Sequence, residues 1–303
     1  MADLVHGARR RNMQKVAIVT DSSSCLSAEL GRQHGIEIVP YSMLFEGRDF
    51  RDGVDDPSEF YALLRHAEKL PATSAPSPGL FLEAYQRAGR RAESVLCITL
   101  PGELSSCHNS SKQAIILAEE ELPGLKIESV AAPAVASGQG LVALEAARAA
   151  ASGGDLEECA ALVSGLAPEV HFFAVLDTLE YLAKGGHVPK AVGWLGDLVG
   201  VKPILTAHYG TVKRLTQSRS KRRALDTMLR MMGERNPERH SIRALVMHAD
   251  APGEADAFRD EIASRFRCEL LLVTQFTPVM GAHSGPGVVG VAFLVLKEGG
   301  RAG

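Results

Sequence analysis

The stretch KVAIVTDSSSCLSAELGRQHGIEIVPYSML, residues 15–44, decides the fold class. KVAIVT is a short β-branched run that stops at Asp21 and three serines; a helical pattern near Ala28–His34 and a second apolar run, IEIVPYSML, follow. Strand, helix and strand in such close succession form the unit of a parallel sheet with crossover helices. The same grammar continues downstream. Helices are expected near Pro57–Glu68 and Pro78–Arg91, a strand at SVLCITL (94–100), a helix from about Ser106 to Glu121, a strand at KIESVAA and a helix through LVALEAARAAAS. After SGG (152–154) and the helix DLEECAALVSGLA the grammar changes. HFFAVLD leads to hairpin-like strands, PILTA and VKRLTQ, around Tyr209-Gly210; helices near Lys221–Arg235 and Pro252–Arg265 then alternate with SIRALVMHA and the terminal strands. The expected fold is α/β in two lobes: an N-terminal doubly wound lobe over residues 14–165 and a C-terminal α+β lobe over 166–298. Residues 1–13 and 299–303 are expected to be flexible tails.

Composition narrows the function. With 33 basic against 36 acidic residues the chain lacks the charge excess needed to neutralise nucleic-acid phosphates. Five cysteines, odd in number and without a C-x-x-C pair, suggest neither a disulfide framework nor a zinc site, so a reduced, cytoplasmic setting is expected. The ten histidines form no H-x-H or H-E-x-x-H pattern, and no metal or cofactor is expected. VHFFAVL and VVGVAFLVL have the length of buried strands, short of the roughly 20 apolar residues of a spanning helix.

Three distant segments place small polar or imidazole side chains where backbone N–H groups are free. PATSAPSPG (71–79) holds Thr73 and Ser74 on a proline-stiffened extended loop, with Ser77 and Pro78 as a helix cap. ITLPGELSSCHNSSKQA (98–114) carries Ser105, Ser106 and Cys107 into a helix N-terminus, whose free N–H groups favour an anion. FTPVMGAHSGPGVVGVAF (276–293) sets His283 in a turn with Gly281, Gly285 and Gly287, a poor place for core packing and therefore a candidate for function. Asp21 and Ser22, at the carboxyl end of the first strand, stand where open α/β sheets bind ligands, although Asp and Ser there are also ordinary capping residues. Ser105 lies at a strand–turn–helix junction, as hydrolase nucleophiles do. However, G-x-S-x-G is absent, and His108 in the same helical turn is badly placed to act as its base.

The order and wording of these segments resemble the DegV family of bacterial lipid-binding proteins, which includes the fatty-acid-carrying subunit of fatty acid kinase. TDS at 20–22, the Thr73-Ser74 pair followed by x-Pro-Ser, Leu104-Ser105, LDTLEYLAKGGHVPKAVGWLGDLVGVKPIL (176–205) and the histidine-x-glycine-proline-glycine turn at His283 carry the resemblance, which runs from about Lys15 to Leu296. Four positions depart from the family pattern: Ser106 and Cys107 replace a glycine and a threonine, Ala131 an aspartate, and His187 an arginine. The resemblance implies a non-catalytic carrier with a long acyl chain in a tunnel between and within the lobes. The carboxylate would be held by Ser105 and Thr73, with Ser74, Ser106, Asp21, Ser22, His283 and Gly285 around it. Arg219 and His187 would face an ATP-dependent kinase subunit that makes the acyl phosphate, and membrane contact would be at most transient, to exchange lipid. SRSKRR around Arg219 has the composition of a solvated basic turn as well. Two alternatives remain: an enzyme acting on a small phosphorylated or carbonyl substrate, since the fold is shared with dihydroxyacetone kinase subunits, and a lipid-responsive module without a kinase.

Overall fold

A computed structural model describes residues 13–166, 169–186, 188, 191–194 and 200–297. His187 and nearly all of both expected tails lie outside the described residues. The chain begins with β1 (Gln14–Asp21), α1 (Ala28–His34), β2 (Ile36–Val39), β3 (Ser42–Phe45), β4 (Arg48–Arg51), α2 (Pro57–Leu64) and β5 (Ala72–Ser74). It continues with α3 (Pro78–Gly89), β6 (Ala92–Thr99), α4 (Cys107–Glu121), β7 (Lys126–Ala131), α5 (Ser137–Ala151) and α6 (Leu156–Leu166). β2, β1, β6 and β7 form, in that order, a four-stranded sheet that is parallel throughout. Because side chains alternate along a strand, Val16 and Ile18 pack with Leu96 and Ile98 under α5 and α6, while Ala17 and Val19 pack with Val95 and Cys97 under α3 and α4. Both faces are covered, as parallel sheets require.

The run IEIVPYSML is not one strand. Pro40 has no N–H to continue a ladder, and the Tyr41 N–H turns away to the Ser22 hydroxyl at 3.1 Å. The chain then enters a separate antiparallel sheet of order β4-β3-β5, in which Met43 pairs with Thr73. PATSAPSPG, read as a connecting loop, therefore contains an edge strand.

The second half contains β8 (His171–Val175), α7 (Glu180–Lys184), α8 (Ala191–Trp194), β9 (Lys202–His208), β10 (Thr211–Ser218), α9 (Lys221–Arg235), β11 (Ser241–His248), α10 (Pro252–Arg265), β12 (Cys268–Gln275), α11 (Pro278–Ser284) and β13 (Val289–Leu296). Its six strands run β10-β9-β8-β13-β11-β12, antiparallel except for the β11–β12 pair. Phe173, Val175, Val291 and Phe293 face α9 and α10 on one side. Phe172, Ala174, Leu205, Ala207 and Ala292 face the opposite way, into an apolar layer shared with Met43, Phe45, Phe60, Tyr61, Leu100 and Ala282.

The sheets meet on α5, buried along Ser137–Ala147. Its apolar residues pack at once on Val16 and Ile18 of the parallel sheet and on Leu245 and Leu294 of the other. Ser137 and Thr274 hydroxyls lie 2.7 Å apart, and the nearly buried Glu145 accepts from Arg243 of β11 at 2.7 Å. Gly138 and Gly140 make the approach possible. A Cβ on Gly138 would stand 2.8 Å from Ala134 Cβ, and one on Gly140 only 2.5 Å from the Ser24 carbonyl oxygen.

Candidate functional site

The carboxyl edge of the parallel sheet is organised by Asp21, which is fully buried. Its Oδ1 accepts from Ser23 N at 3.0 Å and from the Ser23 hydroxyl; its Oδ2 accepts from Leu100 N at 2.9 Å, Gln139 Nε2 at 3.0 Å and Cys107 Sγ at 3.4 Å. These bonds draw together the ends of β1 and β6 and the starts of α4 and α5. Ser22, also fully buried, receives Tyr41 N and offers its carbonyl to the Thr277 hydroxyl at 3.4 Å. Both residues thus lie beneath the surface with protein partners.

Ser105 stands above them, partly exposed. Its Oγ accepts from Cys107 N at 3.2 Å, so it caps α4, and it lies 2.7 Å from the Tyr41 hydroxyl. Ser106, at the outer edge of the same turn, is exposed and makes no capping bond. Burial pushes the Cys107 thiol well above its ordinary range, and the neighbouring Asp21 charge adds to this, despite the helix N-terminus. His108 turns away from Ser105. Its Nδ1 lies 3.0 Å from the Thr99 hydroxyl and 3.4 Å from that of Ser129, and desolvation lowers its pKa.

Thr73 and His283 come together on the flank of the same apolar layer. They line a cavity of about 530 Å³ with Glu68, Lys69, Leu70, Pro71, Lys184, Gly185 and Ala282. Ser74 is exposed beside it and pairs with Ser42. His283 is not in a free turn; it occupies the last turn of α11, in whose first turn Val279 N donates to Asp52 Oδ1 at 2.7 Å. Gly185 gives the imidazole room, since a Cβ there would stand 2.8 Å from His283 Nδ1, and Gly186 takes the left-handed conformation instead, at φ 73°. Gly285, at φ 77° and ψ 167°, closes α11 against Tyr181: a Cβ would fall 2.2 Å from the ring. Gly287 is pressed against Asp177, which also holds Lys202 Nζ at 2.8 Å, while the Gly287 carbonyl receives Lys221 Nζ. Arg219 is exposed just ahead of α9 and remote in sequence from both clusters.

Sequence reasoning missed Tyr41, Gln139 and Asp52. None sits in a recognisable motif. Gln139 lies between Gly138 and Gly140 at the start of α5, and its amide reaches Asp21, the Thr20 hydroxyl at 3.1 Å and the Ile98 carbonyl at 3.4 Å. Asp52 is fully buried, and desolvation pushes its carboxyl up to about 6 against the opposing hydrogen bond from Val279 N. Among the described residues no His, Cys, Asp or Glu group is placed to hold a metal ion, and no helix is long and apolar enough to cross a membrane.

A parallel sheet with hydroxyls at its carboxyl edge, set on an apolar layer shared with a mostly antiparallel six-stranded sheet and a small three-stranded one, defines an α/β protein with a polar mouth over an apolar interior. The family model described as uncharacterised protein, DegV family, matches residues 15–296, and the chain belongs to the DegV family. A DegV domain-containing protein of Caldanaerobacter subterraneus is 30% identical over 286 residues, covering 93% of this chain and 99% of that one. A DegV family protein from Thermus thermophilus, described for its fatty acid binding, superposes with a TM-score of 0.85 at 30% identity, covering 93% of this chain and all of that one. A DegV family protein from Eubacterium eligens loaded with heptadecanoic acid shares the fold at a TM-score of 0.81 and 18% identity, over 93% of this chain and all of that one.

Proposed function

We propose that the protein is a cytoplasmic carrier of a long-chain fatty acid, which it presents to an ATP-dependent kinase partner for acyl-phosphate formation. The carboxylate is held at Ser105 and Thr73 with His283 alongside, and Ser74, Ser106 and Gly285 border that head. Asp21 and Ser22 support it from below. The acyl chain runs into the apolar layer, and Arg219 and His187 belong to the partner-facing surface.

One observation carries this reading. Leu104, directly before Ser105, packs on the apolar layer to which β9 contributes Leu205 and Ala207 and α11 contributes Ala282. A head group at Ser105 is therefore one residue from apolar surface that continues into the second sheet. The fatty acid binding described for the Thermus thermophilus relative supports the choice of ligand. Burial at about 0.8 kcal/mol per methylene supplies roughly 10 kcal/mol gross for a dozen methylenes. The hydroxyl contacts, at about 1.5–3 kcal/mol each to a charged acceptor, select the carboxylate.

Mass spectrometry of the natively purified protein, under non-denaturing and then denaturing conditions, tests the proposal. A stoichiometric fatty acid is expected, and Ser105→Ala should lower affinity for added fatty acid at least about tenfold. A protein that is empty and refuses added fatty acids would overturn the carrier reading and put an enzyme for a small substrate in its place.

A further inference from the structure

We infer that Tyr41 determines head-group specificity: its hydroxyl donates to Ser105, leaving Ser105 only a proton to offer, so the pocket takes an ionised carboxylate and rejects an alcohol or amide head. The inference deepens the fatty-acid reading and rests on it.

The hydrogen-bonding capacity of Ser105 is finite. A serine hydroxyl has one proton and two acceptor sites. At Ser105 one site is taken by Cys107 N at 3.2 Å. Tyr41 Oη lies 2.7 Å from the same Oγ. A phenol is far more acidic than an aliphatic alcohol and is the better donor of the two. Its other polar neighbour, Cys107 Sγ, is a weak acceptor whose own proton is directed at Asp21 Oδ2, 3.4 Å away. The Tyr41 proton therefore goes to Ser105 and fills its second site. Burial holds the phenol far above its ordinary range, so it stays protonated at every working pH.

Each member of this chain is fixed. Tyr41, 4% exposed, packs with Val39, Phe81, Cys107 and Val279, and its N–H is tied to Ser22. Cys107 is held through its thiol by Asp21. A carboxylate brings only acceptors and suits an obligate donor. An alcohol or amide can accept from Ser105, but its own O–H or N–H finds no free acceptor site on Ser105, and it forgoes the charge-assisted bond that a carboxylate makes.

The test uses the full chain, stripped of lipid and titrated with palmitate, cetyl alcohol and palmitamide. The wild type should bind palmitate at least about 100-fold more tightly than cetyl alcohol. In Tyr41→Phe that ratio should fall about tenfold, because palmitate affinity drops while the alcohol gains an acceptor at Ser105. In the Tyr41→Phe/Ser105→Ala double variant palmitate affinity should equal that of Ser105→Ala alone. Equal wild-type affinity for palmitate and cetyl alcohol would overturn the inference without recourse to any variant. An unchanged ratio in Tyr41→Phe would also overturn it, as would a further loss in the double variant, which would mark Tyr41 as packing. If Ser105→Ala itself leaves palmitate affinity unchanged, the head-group reading falls first; if it weakens binding while Tyr41→Phe keeps the ratio, only the role of Tyr41 falls.

Discussion

The Ser105 edge and the His283 turn border the same apolar layer and are held by opposite means. Around Ser105 the chain is fixed by polar bonds: Asp21 alone gathers donors from Ser23, Leu100, Cys107 and Gln139. Around His283 it is fixed by missing side chains, since Gly185, Gly281, Gly285 and Gly287 each have another side chain within 3 Å of where a Cβ would be. The first kind of site should be most sensitive to a change of hydrogen-bonding pattern, the second to an added methyl group.

The largest effect should come from breaking the glycine side. Gly285→Ala would force a residue with a side chain to φ 77°, ψ 167° and drive a methyl into Tyr181. A loss of about 5 kcal/mol is expected in urea unfolding. Near-wild-type stability would show that α11 can shift and that steric fit does not define this turn.

Next comes the polar side. Asp21→Ala strands two buried backbone N–H groups, those of Ser23 and Leu100, and should cost about 4 kcal/mol in the same unfolding experiment. If stability holds and only ligand affinity changes, Asp21 touches ligand rather than positioning the loops.

Asp52 joins the two regions, lying beside Ser22 and accepting from Val279 N of α11, and it makes stability depend on pH. Its carboxyl is raised from 3.8 to about 6 by burial. Between those values the folded protein keeps a proton that the unfolded chain has released. Stability should therefore fall as pH rises from about 4 to about 6, by about 2–3 kcal/mol, and stay level above that. Asp52→Asn keeps an oxygen for Val279 N and should flatten this fall. Denaturation midpoints measured across that range decide it; an unchanged slope would mean that another group titrates.

α1, α9 and α10 lie where the sequence puts them because local chemistry marks their ends: Ser27 and Ser220 cap their helices and Pro252 starts its own. The glycine cluster was visible as well, because a requirement for no side chain is written in one residue type. The polar edge was legible only in part. Ser105 and Asp21 stood out, but Tyr41 meets Ser105 across 64 residues and Gln139 meets Asp21 across 118. Nothing local distinguishes a tyrosine that donates to a serine from one that fills a core. The edge strand at Thr73 was hidden for the same reason, since its ladder partner Met43 lies on a distant stretch of chain.

α5 belongs to both halves of the molecule. Its sequence adjoins the parallel sheet, yet Ser137, Gly138 and Glu145 meet residues of the second sheet and its flank: Thr274, Val170, Ala292 and Arg243. A gene fragment that stopped after this helix would encode an apolar flank with nothing to cover it, and the complementary fragment would lack the wall that its own strands pack against. Recombination between relatives should accordingly exchange surface loops more freely than whole halves.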